Sequence, residues 1–163
     1  MKALLSLCLL FGLLLTSCSK SSRTESPDII ATTTMIADMV RAIAGDDVSV
    51  GALMRPGVDP HLYKASPADV SKLNQAKVIF YNGLLLEGKM EDLFKRLATD
   101  GKAVRAVSDT VPQEKRLAPE DSEGHPDPHI WGDARLWAST VDAVVAQLSA
   151  TFPEHKEDFE GRG

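Results

Sequence analysis

The chain has 163 residues, a formal net charge of −5, and only two cysteines. That length suits one ordinary domain with its own core. The mild acidity offers no basic face of the kind a nucleic-acid binder needs, so no nucleic-acid partner is expected.

Lys2 and the apolar run from Ala3 to Leu15 are too short for a membrane-spanning helix, which takes about 20 apolar residues, and read as a signal peptide. Leu15, Thr16, Ser17 and Cys18 match the bacterial lipobox. Residues 1–17 are therefore expected to be removed. Cys18 is expected to carry lipid and hold the protein on the membrane, outside the cytoplasm, in the bacterial cell envelope. Cys8 would leave with the signal peptide and Cys18 would be consumed, so no thiol remains for a disulfide or a metal. Residues 18–27 are polar and unpatterned, a tether between lipid and folded body.

From Asp28 onward, short apolar runs alternate with helical patterns. Asp28 to Thr33 is strand-like, and Met35 to Ala44 places Ile36, Met39, Val40 and Ile43 on one helical face before Gly45. Val48 to Met54 reads as a second strand. Arg55 to Ala65 reads as a loop, and Ser66, Pro67 and Asp69 open a capped helix. Val78 to Tyr81 has the continuous apolar character of a strand buried on both faces. A helix carrying Met90, Leu93, Phe94 and Leu97 then leads to a fourth strand, Ala103 to Val107. Ser108 to Pro128 is a long polar segment, and one amphipathic helix is predicted from near Asp133 through Leu148. Pro153 to Gly163 reads as the start of a further helix that stops before burying anything. Strands separated by single helices imply an α/β fold, doubly wound, with a mainly parallel four-stranded sheet and helices on both faces.

Two loops carry the chemistry, Asp59-Pro60-His61-Leu62-Tyr63 and Asp127-Pro128-His129-Ile130-Trp131-Gly132-Asp133. Each sets Pro-His at the exit of a strand and ahead of a helix, where an open parallel sheet forms its ligand crevice. Proline restricts the backbone before each ring, and neutral imidazole is a ligand for zinc, manganese, copper and nickel. His61 and His129 are the candidate metal ligands. His125 is a weaker candidate, and His155 reads as solvated. Tyr63 and Trp131 read as cleft walls, and Asp133 as a helix cap that could also support His129. Asn82, Gly83 and Glu87 read as shaping the loop after the third strand, with an indirect effect on the site.

The string Pro56-Gly57-x-Asp59-Pro60-His61-x-Tyr63, then Ser66-Pro67-x-Asp69, Asn82-Gly83 and Glu87, resembles the metal-binding proteins of zinc and manganese ABC importers. Asp127-Pro128-His129-x-Trp131-x-Asp133 resembles the second ligand loop of the same family, and the likeness runs from about Ile29 to Phe159. The resemblance implies a two-lobed protein whose lobes, joined by a long helix, hold the metal between them. It implies zinc or manganese as cargo and the importer's permease as partner. His61 and His129 would be the first two ligands, and the other two would come from a carboxy-terminal lobe. On that pattern residues 28–152 are the amino-terminal lobe and 153–163 the start of the linking helix. Gly132 departs from the pattern, where a bulkier apolar residue is usual, and no long His-rich loop precedes His125. Two other classes compete. One is a zinc hydrolase, which lacks a His-Glu-x-x-His pair and a general base beside either loop, so no enzyme activity is expected. The other is a surface adhesin or interaction lipoprotein with relic metal loops.

Overall fold

The computed structural model describes residues 26–119 and 124–163. The lipobox, Cys18, and the acidic residues Glu120, Asp121 and Glu123 lie outside the described residues. In chain order the elements are β1 (Ile29–Ala31), α1 (Thr34–Ala44), β2 (Val50–Ala52), α2 (Pro67–Gln75), β3 (Val78–Tyr81), α3 (Glu91–Thr99), β4 (Ala103–Ala106), α4 (Ala134–Ala138), α5 (Val141–Thr151) and α6 (Lys156–Arg162). The strands form one parallel sheet in the order β2-β1-β3-β4.

Strand alternation divides the core into two layers. Ile29, Ala31, Val78 and Phe80 face α1, α5 and α6, while Ile30 and Ile79 face Leu73 of α2 and Phe94 and Leu97 of α3. Successive strand residues point to opposite faces, and both faces are covered, as a parallel sheet requires. The apolar runs seen in the sequence are therefore buried on both sides.

Local signals set the helix starts. Thr33 Oγ1 accepts from the Ile36 amide at 3.4 Å to cap α1. At α2, the Asp69 amide donates to Ser66 Oγ, and Asp69 Oδ2 in turn accepts from the Ser66 amide at 2.9 Å. Asp69 Oδ2 also accepts from Ser66 Oγ at 2.6 Å and from Tyr63 OH at 2.8 Å. This is a reciprocal capping box with a tyrosine added. Burial works against the Asp69 charge, but the bonds from Ser66 and Tyr63 outweigh it and hold the carboxyl below its usual range.

Two regions differ from the sequence expectation. The single helix expected from Asp133 to Leu148 is two, because Ser139 and Thr140 close α4 before α5 begins. Ser139 Oγ donates to the Leu136 carbonyl at 2.6 Å and Thr140 Oγ1 to the Trp137 carbonyl at 2.7 Å. These side-chain bonds compete with helix continuation. The final segment also does bury a residue. Phe159 is fully enclosed against α1 and α5, and Arg162 donates to the Ile43 and Ala44 carbonyls at 2.7 and 3.0 Å and pairs with Asp47 at 2.6 Å. Arg162 thereby satisfies carbonyls left open at the end of α1.

Two outcomes follow. Phe159→Ala should cost about 3–5 kcal/mol of stability in urea unfolding, the usual range for emptying a buried aromatic site. Asp69→Asn should cost about 1 kcal/mol at neutral pH. Because the folded-state carboxyl is lowered, its stabilisation is complete above the ordinary aspartate value of about 3.9 and fades as pH falls below it. The gap between wild type and variant should therefore close in acid and stay constant from pH 5 to 8.

Candidate metal site

The histidine loops share one local construction. His61 N–H donates to Asp59 Oδ1 at 2.9 Å, and His129 N–H donates to Asp127 Oδ1 at 2.9 Å. Each Asp-Pro-His triplet thus folds as a turn closed by its aspartate two residues back. The first loop comes after β2 and the second after β4 and the long segment that follows it, so both lie downstream of the sheet's edge strands.

The loops bring the imidazoles together, with Nε2 of His61 3.3 Å from Nε2 of His129. The rings meet edge to face, their centroids 5.3 Å apart. Zinc bonds imidazole nitrogen at about 2.0–2.1 Å in tetrahedral geometry, which places two such nitrogens roughly 3.3–3.4 Å apart. The observed separation matches that spacing.

The two rings are supported differently. Asp127 Oδ1 lies 2.6 Å from His129 Nδ1. With that nitrogen donating to the carboxylate, Nε2 is left as the acceptor that a metal requires. The His129 amide, then its ring, hold the Asp127 carboxyl below the usual carboxylate range. Among the described residues His61 has no such carboxylate on its ring. Its loop is fixed instead at Tyr63, whose hydroxyl is bound to Asp69. Burial, followed by that bond, pushes the Tyr63 phenol up to about 12.

Residues 29–163 match the family described as "ZnuA: Zinc-uptake complex component A periplasmic". The chain belongs to this family. Manganese-binding lipoprotein MntA of Bacillus subtilis is 44% identical over 149 residues, covering 89% of this chain and 48% of MntA. Zinc-binding protein TroA of Treponema pallidum is 43% identical over 145 residues, covering 88% of this chain and 46% of TroA. The solved structure of the periplasmic zinc-binding protein TroA superposes with a TM-score of 0.78 at 44% identity, over 84% of this chain and 48% of that one. Fe(III)-bound YtgA of Chlamydia trachomatis superposes with a TM-score of 0.71 at 34% identity, over 82% of this chain and 46% of that one. The chain spans about half the length of the curated relatives it matches.

In this ZnuA-family lobe, a hollow of about 380 Å³ opens beside the rings, lined by His61, His125, His129, Asp127, Leu84 and Leu85 among others. His125 therefore shares the hollow. Trp131 stands edge-on to His129, centroids 5.2 Å apart, and forms a wall for that ring. Tyr63 packs instead with the layer under α2 and α3. Asp133 acts as the expected helix cap, and among the described residues no hydrogen bond joins it to His129. Its Oδ1 accepts from the Arg135 and Leu136 amides at 2.8 and 3.3 Å and is spent on capping α4. Asp127 fills the supporting role because it is the residue the turn places under the ring. Its signal, an aspartate two residues ahead of each histidine, was present in the sequence. Around Gly132 an added Cβ would meet nothing within 4 Å, so the departure from the family pattern leaves open space beside the loop. His155 sits with Asp47 and Asp158, ligand atoms within 4.8 Å of one another, before β2 and away from these loops. Asp47 there already has the Arg162 guanidinium as its counter-charge.

Beneath the rings lies the turn from Asn82 to Glu87. Gly83, Leu84 and Leu85 have φ of 82°, 53° and 65°. A left-handed conformation costs a non-glycine residue roughly 1–2 kcal/mol, so two consecutive leucines mark stored strain. At Gly83 a Cβ would lie 2.5 Å from Ser108 Oγ and 3.0 Å from Ala106 Cβ, so any side chain there would force these neighbours to shift. The buried Glu87 carboxylate accepts from Thr32 Oγ1 at 2.6 Å and from the Asn82 and Gly83 amides at 2.8 and 3.2 Å. Burial pushes its carboxyl up despite those bonds.

Proposed function

We propose that this lobe captures a divalent transition metal, zinc or manganese, outside the cytoplasm and presents it to the permease of an ABC importer. His61 and His129 supply two ligands through Nε2, and Asp127 orients the second ring. The observation that carries this reading is the 3.3 Å approach of the two Nε2 atoms, the spacing of two imidazoles on one tetrahedral ion. Membership in the zinc-uptake family supports it. So do relatives named for manganese, zinc and iron.

The surroundings fit a site that is covered in use. Among the described residues, the exposed large hydrophobics are Val58, Leu62, Leu85 and Leu117. Val58 and Leu62 flank His61 in its loop. Leu85 lines the hollow with both rings, and Leu117 lines a neighbouring one with His129. Apolar residues gathered on one rim mark a contact face. We assign that face to a second lobe, which would bring the remaining ligands and close the coordination shell. Cys18, which closes the Leu15-Thr16-Ser17-Cys18 string, would carry the lipid that keeps the protein at the membrane.

Two experiments test the proposal. Zinc and manganese affinity should be read by competition with a chelator of known strength. Asp127→Asn should weaken binding about 10–100-fold, the usual effect of removing a ligand's supporting carboxylate. His61→Ala and His129→Ala should each weaken it more. Unchanged affinity in both histidine variants would overturn the ligand assignment. Separately, Cys18→Ala should move the protein from the carbonate-washed membrane fraction to the soluble fraction, because the acyl anchor supplies the retention. Retention of the variant would place the anchor elsewhere.

A further inference from the structure

In an open parallel sheet the ligand crevice forms where neighbouring strands send their chains to opposite sides. Here that place lies between β1 and β3, the central pair in the order β2-β1-β3-β4. It is filled from inside by the carboxylate of Glu87, which is 1% exposed. One oxygen bridges the two strand ends, accepting from Thr32 just after β1 and from the Asn82 amide just after β3. The other takes the Gly83 amide. No cation among the described residues pairs with it, so it works as an acceptor for convergent donors.

Two of those donors, the Asn82 and Gly83 amides, lie on the turn that touches the histidine site. Asn82 Nδ2 donates to the Pro128 carbonyl at 2.9 Å, one residue before His129. Ser108, at the start of the segment that leads to this loop, donates its amide to the Asn82 carbonyl at 3.1 Å. Leu84 and Leu85, held left-handed within the same turn, line the hollow with both rings. We infer that Glu87 is a positioning residue, which sets the location of His129 by holding the strained Asn82–Glu87 turn against the sheet and, through Asn82, the Pro128 carbonyl. It touches neither ring. Its effect on metal binding rests on the ligand reading proposed above, but its effect on the loop does not.

Glu87→Gln keeps the shape and replaces one acceptor with an amide that itself donates, so at least one backbone donor of the turn loses its partner. Amide hydrogen exchange on the metal-free chain reads the loop directly, through Ile130 N–H to Pro128 O and Gly132 N–H to His129 O. The variant should exchange at these two amides tenfold faster or more, with α2 and α3 amides unchanged. Zinc affinity, read by chelator competition, should weaken about tenfold, as outer-partner changes do. Asn82→Ala should reproduce both effects, and the double variant should add little to either single one. Equal loop exchange in wild type and both variants would overturn the inference. So would a uniform rise across the whole chain, which would mean lost stability alone. If Glu87→Gln fails to fold, Asn82→Ala and Thr32→Val decide by the same readouts. If the loop loosens as expected but the wild type holds no zinc, the positioning role stands and the ligand reading falls.

Discussion

Everything at the site follows from one constraint, the distance between the edges of a four-stranded parallel sheet. Neighbouring strands lie about 4.8 Å apart, so the outer two are separated by roughly 14 Å. The histidines lie downstream of those outer strands, His61 nine positions beyond the end of β2 and His129 twenty-three beyond the end of β4, yet their rings meet at 3.3 Å. The chain between strand and ring has to bring the two histidines together across that width, which needs stiffness in each loop and something to hold it. Stiffness comes from proline and from the aspartate that closes each turn. For the His129 loop the support is the Asn82–Glu87 turn after β3, through Asn82 Nδ2 and the Pro128 carbonyl, and for the His61 loop it is the Tyr63 hydroxyl on Asp69.

The same constraint explains the division of the core. A sheet buried on both faces fixes which strand residues serve which layer, and this sheet assigns α1, α5 and α6 to one side and α2 and α3 to the other. The capping of α2 connects this packing to the site. Tyr63, two residues beyond His61, reaches forward to Asp69 and ties the loop to the helix that follows it. The other loop has its anchor ahead of the ring, at Pro128 and Asp127. The two histidines thus reach the same point from supports of opposite sense along the chain.

Much of this was legible in the sequence, and the reasons are particular. Val78 to Tyr81 could only be a doubly buried strand, and Ser66-Pro67-x-Asp69 could only open a helix, because both signals are local. The paired Pro-His loops located the rings on the correct rim, since strand-to-helix loops in parallel sheets share one end. What could not be read depended on long-range contact. Of the two roles open to Asp133, the cap on α4 is formed through Oδ1, and no hydrogen bond to His129 accompanies it among the described residues. The break at Ser139 and Thr140 turns on hydroxyls bonding back to their own helix, which periodicity does not register. Phe159 looked stranded because its partners in α1 lie more than a hundred positions earlier in the chain. Glu87 could be read as shaping the loop after the third strand, but only the sheet order and its bonds to Thr32, Asn82 and Gly83 show that it occupies the crevice.

The ring separation carries one more consequence, for how discrimination among metals would be divided. Two imidazoles held at the spacing of a shared ion act as a template. They lower the ordering cost for any cation that takes imidazole nitrogen, as zinc, iron and copper readily do. A template of this kind is not a filter. Relatives named for manganese, zinc and iron keep this half of the molecule at 35–44% identity, which fits a frame that is indifferent to its guest. On the proposed reading, choice among cations is left to the donors that complete the shell, through their number, charge and hardness. The lobe described here would decide where an ion sits, and its counterpart which ion stays.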